Sequence, residues 1–121
     1  MAERGGERQM TELSDYEKCL KSICEYSALI PGPCSYDGDV FPCTWIAQDT
    51  GISLSKVRKI MRQLETDGYV KKGFYGGYDD WHERIFCIHG YAVTRKGADT
   101  DYWKIRRRQE EEDMRKLAEG D

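Results

Sequence analysis

The chain has 121 residues, 39% hydrophobic and 34% charged. That supports one modest core and excludes two full domains, and a mean hydropathy of -0.78 leaves part of the chain outside the core. A formal net charge of -3 argues, as a total, against a nucleic-acid binder. No apolar run approaches the roughly 20 residues of a membrane span.

The polar stretch 1–10 has no apolar signal region, so residues 1–12 are expected to form a disordered tail on a cytoplasmic protein. The five cysteines, Cys19, Cys24, Cys34, Cys43 and Cys87, show no CxxC spacing and are read as reduced thiols that pack as small hydrophobes. Zinc is the alternative: Cys87 and His89 would share one strand face, and Cys19 and Cys24 could lie near each other. The tight spacing of a structural site is missing, so neither a metal nor a cofactor is expected.

Ser14-Asp15-Tyr16-Glu17 has the spacing of a capping box. Tyr16, Cys19, Leu20, Ile23, Cys24 and Leu29 follow at helical spacing. Pro31-Gly32-Pro33 stops that helix. A long loop runs to Pro42, in which Val40 and Phe41 form a short strand or a plug. A short helix is predicted over 44–50 and punctuated by Gly51. Ser53 then caps a second one, which runs to about Asp67 and ends at Gly68. A strand over 69–75, a turn cluster at Gly76-Gly77-Tyr78-Asp79-Asp80 and a returning strand over 84–93 make a hairpin that Gly97 closes. The rest, from Ala98, reads as a charged helix.

Within this order the stretch from Trp45 to Val70, WIAQDTGISLSKVRKIMRQLETDGYV, resembles the winged helix-turn-helix DNA-binding proteins of bacteria and their phages. In that resemblance Ala47 is the small residue where two helices approach, Gly51 is the turn glycine, and Val57 and Ile60 are buried positions. Leu64 and Asp67-Gly68-Tyr69-Val70 lead into the wing, and the segment from Gly90 to Gly97 follows it. The resemblance implies an α+β fold: a three-helix core with a β-hairpin wing over 13–97 and an added C-terminal helix over 98–121. It also implies a transcriptional regulator that binds double-stranded DNA, with a homodimer as the expected assembly.

The residues agree with that reading. At about 100° per residue, Val57, Ile60, Met61 and Leu64 share one helix face. Ser55, Lys59 and Arg62 point nearly opposite, with Lys56 and Arg58 on the flanks. Basic and hydroxyl side chains on an exposed helix suit a major groove. Ser53, Ser55, Lys56 and Lys59 are the candidates at the leading end, the last three for base edges, and Arg58 and Arg62 for bases or phosphates. Residues 44–72 hold six cations and three anions, a local charge of +3, which leaves -6 for the remainder.

The wing offers Lys71 and Lys72 at its base and Arg84 near its tip, beside Asp79, Asp80 and Glu83. Alternate members of Phe74, Tyr75, Tyr78 and Trp81 are expected to pack on the first helix. The other reading of these aromatics is a protein-contact or self-association surface. In the C-terminal helix, Tyr102 and Trp103 are expected to dock, and Arg106, Arg107 and Arg108 each face a glutamate four residues on. No GxSxG, HExxH or P-loop pattern occurs, so an enzyme is not expected. The alternative function is a protein-interaction module built on the aromatic wing and the acidic surface.

Overall fold

The computed structural model describes residues 13–29 and 40–119. The predicted tail over 1–12, the helix stop at Pro31 and Pro33, and Cys34 lie outside the described residues. The elements are α1 (Asp15–Leu29), α2 (Cys43–Thr50), α3 (Leu54–Thr66), β1 (Val70–Asp79), β2 (Arg84–Val93), the short α4 (Arg95–Ala98) and α5 (Asp101–Glu119). The architecture is α+β: among the described residues, helices surround one two-stranded antiparallel sheet. No helix among the described residues is long and apolar enough to cross a membrane.

Local chemistry sets the helix boundaries. The Glu17 amide donates to Ser14 Oγ at 3.1 Å and opens α1. Gly51, at φ 79, ends α2 and donates its N–H to the Ala47 carbonyl at 2.9 Å. A left-handed backbone here turns the chain within three residues, and glycine adopts it without strain. Ser53 caps α3 by accepting from the Lys56 amide. At the other end of α3, Gly68 donates to Glu65 O at 3.0 Å and Tyr69 to Leu64 O at 3.0 Å, the paired bonds of a glycine-terminated helix.

The core gathers one face from each element. Leu20, Ile23 and Cys24 of α1 meet Ile46 of α2, Val57, Met61 and Leu64 of α3, and Val70, Tyr91 and Val93 at the base of the hairpin. Burying each large aliphatic side chain stabilises the fold by about 1.5–3 kcal/mol. Phe41 does both things expected of it. Its N–H donates to Tyr91 O at 2.8 Å and its carbonyl accepts from Tyr91 N at 3.1 Å, while its ring is buried and stacks on Tyr26. The Phe41 backbone runs so close to β2 that a Cβ on Gly90 would sit 2.3 Å from the Phe41 carbonyl oxygen.

The hairpin is longer than its sequence suggests. Pairing runs from Val70↔Val93 to Asp79↔Arg84, so Gly76, Gly77, Tyr78 and Asp79 belong to the strand and the turn is 80–83. Glycine is depleted in strands, but here Gly76 and Gly77 pair with Cys87 and with Phe86, a good strand former. Glu83, at φ 52, takes the left-handed position of the turn. Beyond Gly73↔Gly90 the hairpin leaves the core. Phe74 is 68% exposed, Tyr78 57%, Ile85 81% and Trp81 87%. Phe74, Tyr78 and Trp81 therefore do not pack on α1, contrary to expectation, because the covered part of the sheet ends at its base. The Tyr75 side chain lies outside the described residues.

The C-terminal helix begins at Asp101 rather than Ala98. Gly97 sits inside α4, and Thr100 restarts the helix by accepting from the Trp103 amide at 3.4 Å. The first half of α5 lies on α1. Trp103 Nε1 donates to Ser27 Oγ at 3.0 Å, Arg107 Nη1 donates to the Ala28 carbonyl at 3.2 Å, and the Tyr102 hydroxyl donates to the Glu17 carboxylate. Arg107 pairs with Glu111 at 3.2 Å as the spacing predicts, whereas Glu112 meets Arg115 instead of Arg108.

Two expectations follow from this packing. Gly90→Ala forces a methyl group into the Phe41 backbone, and chemical denaturation is expected to show a loss of about 1–3 kcal/mol. The second concerns alkali. Burial, and then the hydrogen bond to Glu17, push the Tyr102 phenol up from 10.0 to about 12. The folded state keeps a proton that the unfolded chain loses near 10.0, so this contribution is complete below pH 10 and disappears between pH 10 and 12. Tyr102→Phe is expected to weaken that alkaline fall in stability, read from denaturation midpoints across the interval.

Candidate functional site

The burial of Val57, Met61 and Leu64 points the opposite face of α3 outward. Ser53, Ser55, Lys56, Arg58, Lys59 and Arg62 are all exposed. Ser53 is partly committed, since its hydroxyl holds the Lys56 amide at 3.3 Å. Lys56 is committed more strongly: its ammonium lies 2.5 Å from an Asp15 carboxylate oxygen at the start of α1. That hydrogen bond, more than any other influence, holds the Asp15 carboxyl below its usual range, and the Lys56 and Lys18 charges add to it against the opposing effect of desolvation. Ser55 and Lys59 project from the middle of the exposed stripe. Arg58, Lys59 and Arg62 form no ion pair among the described residues.

The structure gathers three predicted cations at one place. Arg58 and Arg62 of α3 and Lys72 of β1 line a cleft of about 460 Å³, which is closed by Pro42, Cys43 and Thr44 at the start of α2 and by His89 and Tyr91 of β2. Lys72 also lacks an ion pair among the described residues. Pro42 occupies the N-cap of α2 and offers no side-chain cap to its first turn. An open helix N-terminus carries partial positive charge and unsatisfied N–H groups. With two guanidinium groups and an ammonium beside it, the cleft is built for an anion, and arginine matches phosphate in a bidentate way. At Cys43, burial pushes the thiol up, while Arg58 and Arg62 pull it the other way.

The remaining candidates stand apart. Lys71 lies on the opposite face of β1 from Lys72, since side chains alternate along a strand. Arg84 stands opposite Asp79 in the strand register at the far end of the hairpin, roughly 24 Å along the strand from the level of Lys72, next to the acidic turn. Sequence reasoning missed the contribution of α2, His89 and Tyr91 to the cleft. The available signal was Pro42 at an N-cap position without a Ser, Thr, Asp or Asn beside it to close the helix end.

Two further cysteines belong to the core. Cys19 and Cys24 have no exposure, and burial pushes each thiol up to about 11. No group of three or more His, Cys, Asp or Glu residues suited to a metal ion occurs among the described residues. Compared with known proteins, the chain matches no family model and no curated protein.

The cleft leads to a simple expectation. At constant ionic strength, inorganic phosphate or sulfate is expected to raise the melting temperature relative to chloride, because an anion held by the folded state stabilises it by mass action. The double variant Arg58→Ala, Arg62→Ala is expected to reduce the difference to the general stabilisation these salts give any folded chain.

Proposed function

We propose that this chain is a winged helix-turn-helix protein that binds double-stranded DNA and serves as a transcriptional regulator. α2 and α3 are the helix-turn-helix, α3 is the element presented to the major groove, and the hairpin is the wing. One observation carries the reading: Arg58, Arg62 and Lys72 converge on the open N-terminus of α2, directly beside the exposed Ser55–Lys59 stripe. A backbone phosphate in the cleft would fix the register of α3, leaving Ser55 and Lys59 to meet base edges. Phosphate contacts position, and base contacts specify. Lys56, tied to Asp15, contributes less than its place in the sequence implies. Arg84 belongs to the acidic end of the hairpin and plays no part.

A second reading is favoured by a different observation. The exposed Phe74, Tyr78, Trp81 and Ile85 form an apolar arm of the kind that protein partners cover. On this reading the chain is a protein-interaction module that regulates a partner through that arm and its acidic surface.

A salt titration on duplex DNA separates the two. With Arg58, Lys59, Arg62 and Lys72 on phosphates or bases, log affinity is expected to fall against log salt with a slope of about -3 to -4. Arg58→Glu combined with Arg62→Glu is expected to weaken binding by about 100-fold at low salt. Absence of duplex binding at low salt removes the DNA reading and leaves the interaction module.

A further inference from the structure

The basic cleft does not end at its own walls. Side chains alternate along each strand, so Lys72, Phe74 and Tyr78 of β1 share one face of the sheet with Tyr91, His89 and Ile85 of β2. Lys72, His89 and Tyr91 on that face line the cleft. Phe74, Tyr78 and Ile85 carry the same face out along the projecting arm, where they are 68%, 57% and 81% exposed. His89 joins the two parts. It lines the cleft, and its ring lies against that of Phe74 with 6.1 Å between centroids. One continuous track therefore begins at Arg58, Arg62 and Lys72 and runs on over aromatic rings.

The middle of the track is open. Gly76 lies between Phe74 and Tyr78 on this face and stands opposite Cys87, a small side chain. The two aromatic residues are about 13 Å apart along the strand. Side chains stand roughly perpendicular to a sheet, so their rings are walls, and Gly76 with Cys87 is the floor between them. A stacked base occupies about 3.4 Å, so the gap takes two or three bases. We propose that the cleft and this face of the arm bind single-stranded nucleic acid. Arg58, Arg62 and Lys72 hold a backbone phosphate, and the bases that follow stack between Phe74 and Tyr78. Cationic grooves that lead onto aromatic rings bind single strands in this way. A duplex cannot use the track, because its bases stack on one another and offer only their edges in the grooves. Unpaired bases expose both faces.

Charge marks the occupant and limits its length. The cleft is cationic and suits an anion, and the surface beside it is aromatic and suits flat apolar groups. A nucleotide strand brings both in every unit. At the far end, Asp80 and Glu83 of the turn repel phosphate, so the track closes at Tyr78 and Ile85. A footprint of about four nucleotides follows, at the low end of the range for single-strand modules. The track rests on the cleft being the phosphate site of the proposed function. It does not rest on α3 meeting a duplex, because Ser55 and Lys59 do not line the cleft.

The test uses the full-length chain and fluorescence anisotropy with two labelled probes, an oligothymidylate, which forms no duplex, and a hairpin duplex. Log affinity for oligothymidylate is expected to fall against log salt with a slope of about -2, from three cations at about 0.7 each. Phe74→Ala and Tyr78→Ala each change an exposed side chain, so circular dichroism is expected to stay that of the parent. Each is expected to weaken oligothymidylate binding by at least about fivefold and to leave duplex binding unchanged. Lys59→Glu is expected to do the reverse, so failure of the duplex reading and failure of the single-strand track give different patterns. Arg58→Glu combined with Arg62→Glu is expected to weaken both. Oligothymidylate binding the double variant Phe74→Ala, Tyr78→Ala as tightly as the parent overturns the proposal. So does an abasic strand of the same length, or an acidic peptide of the same charge, that binds the parent as tightly as oligothymidylate, since stacking then contributes nothing.

Discussion

The orientation of α3 governs the chemistry of this protein. Val57, Met61 and Leu64 have no exposure at all, and together they fix which side of α3 faces inward, to α1, α2 and the base of the hairpin. Rotating the helix by even one residue would bury a cation or expose a large aliphatic group. Removing an unpaired charge from water costs several kcal/mol, so the apolar face and the basic face enforce each other. Lys72 reaches the same cleft as Arg58 and Arg62 because Val70 and Val93 anchor the start of the hairpin beside the end of α3.

Charge distribution is the second organising feature. The total of -3 hides a basic segment inside an acidic chain, and the fold treats the basic residues unequally. Lys56 is neutralised at short range by Asp15. Arg84 stands beside an acidic turn. Arg106 and Arg107 are drawn toward Glu110 and Glu111. Arg58, Lys59, Arg62 and Lys72 have no such pairing among the described residues, and three of these four share one cleft. The positive field is therefore concentrated where the side chains are least committed, and screening by salt acts on it most strongly there.

Much of the fold was legible in the sequence, because its signals were local. Ser14, Gly51, Ser53 and Gly68 each fix a helix end through bonds within a few residues, and each stands where its spacing placed it. The apolar period of α3 gave its buried face directly. What the sequence did not reveal depends on contacts between distant segments. The strand through Gly76 and Gly77 is set by its partner β2 rather than by its own composition. The break before α5 depends on Thr100 and on docking against α1. At the candidate site, Arg58 and Arg62 were readable from helical period. The open start of α2, His89 and Tyr91 were not, because only the return of β2 past Phe41 brings them together. The pairing of Lys56 with Asp15 was not readable either, because the two lie far apart in sequence.

The length of the hairpin carries one more consequence. A two-stranded ribbon is marginal in water unless a third layer supports it, and here Phe41 and the core support only the base. Its hydrogen bonds must therefore close in order, from Val70↔Val93 outward, with the tip opening first and most often. Backbone amides near Tyr91 then exchange with solvent only when the whole domain opens, while those near Tyr78 exchange through local fraying. The arm is a graded structure, firm where it meets the core and compliant at its end, and whatever seizes the end also stiffens the ribbon behind it.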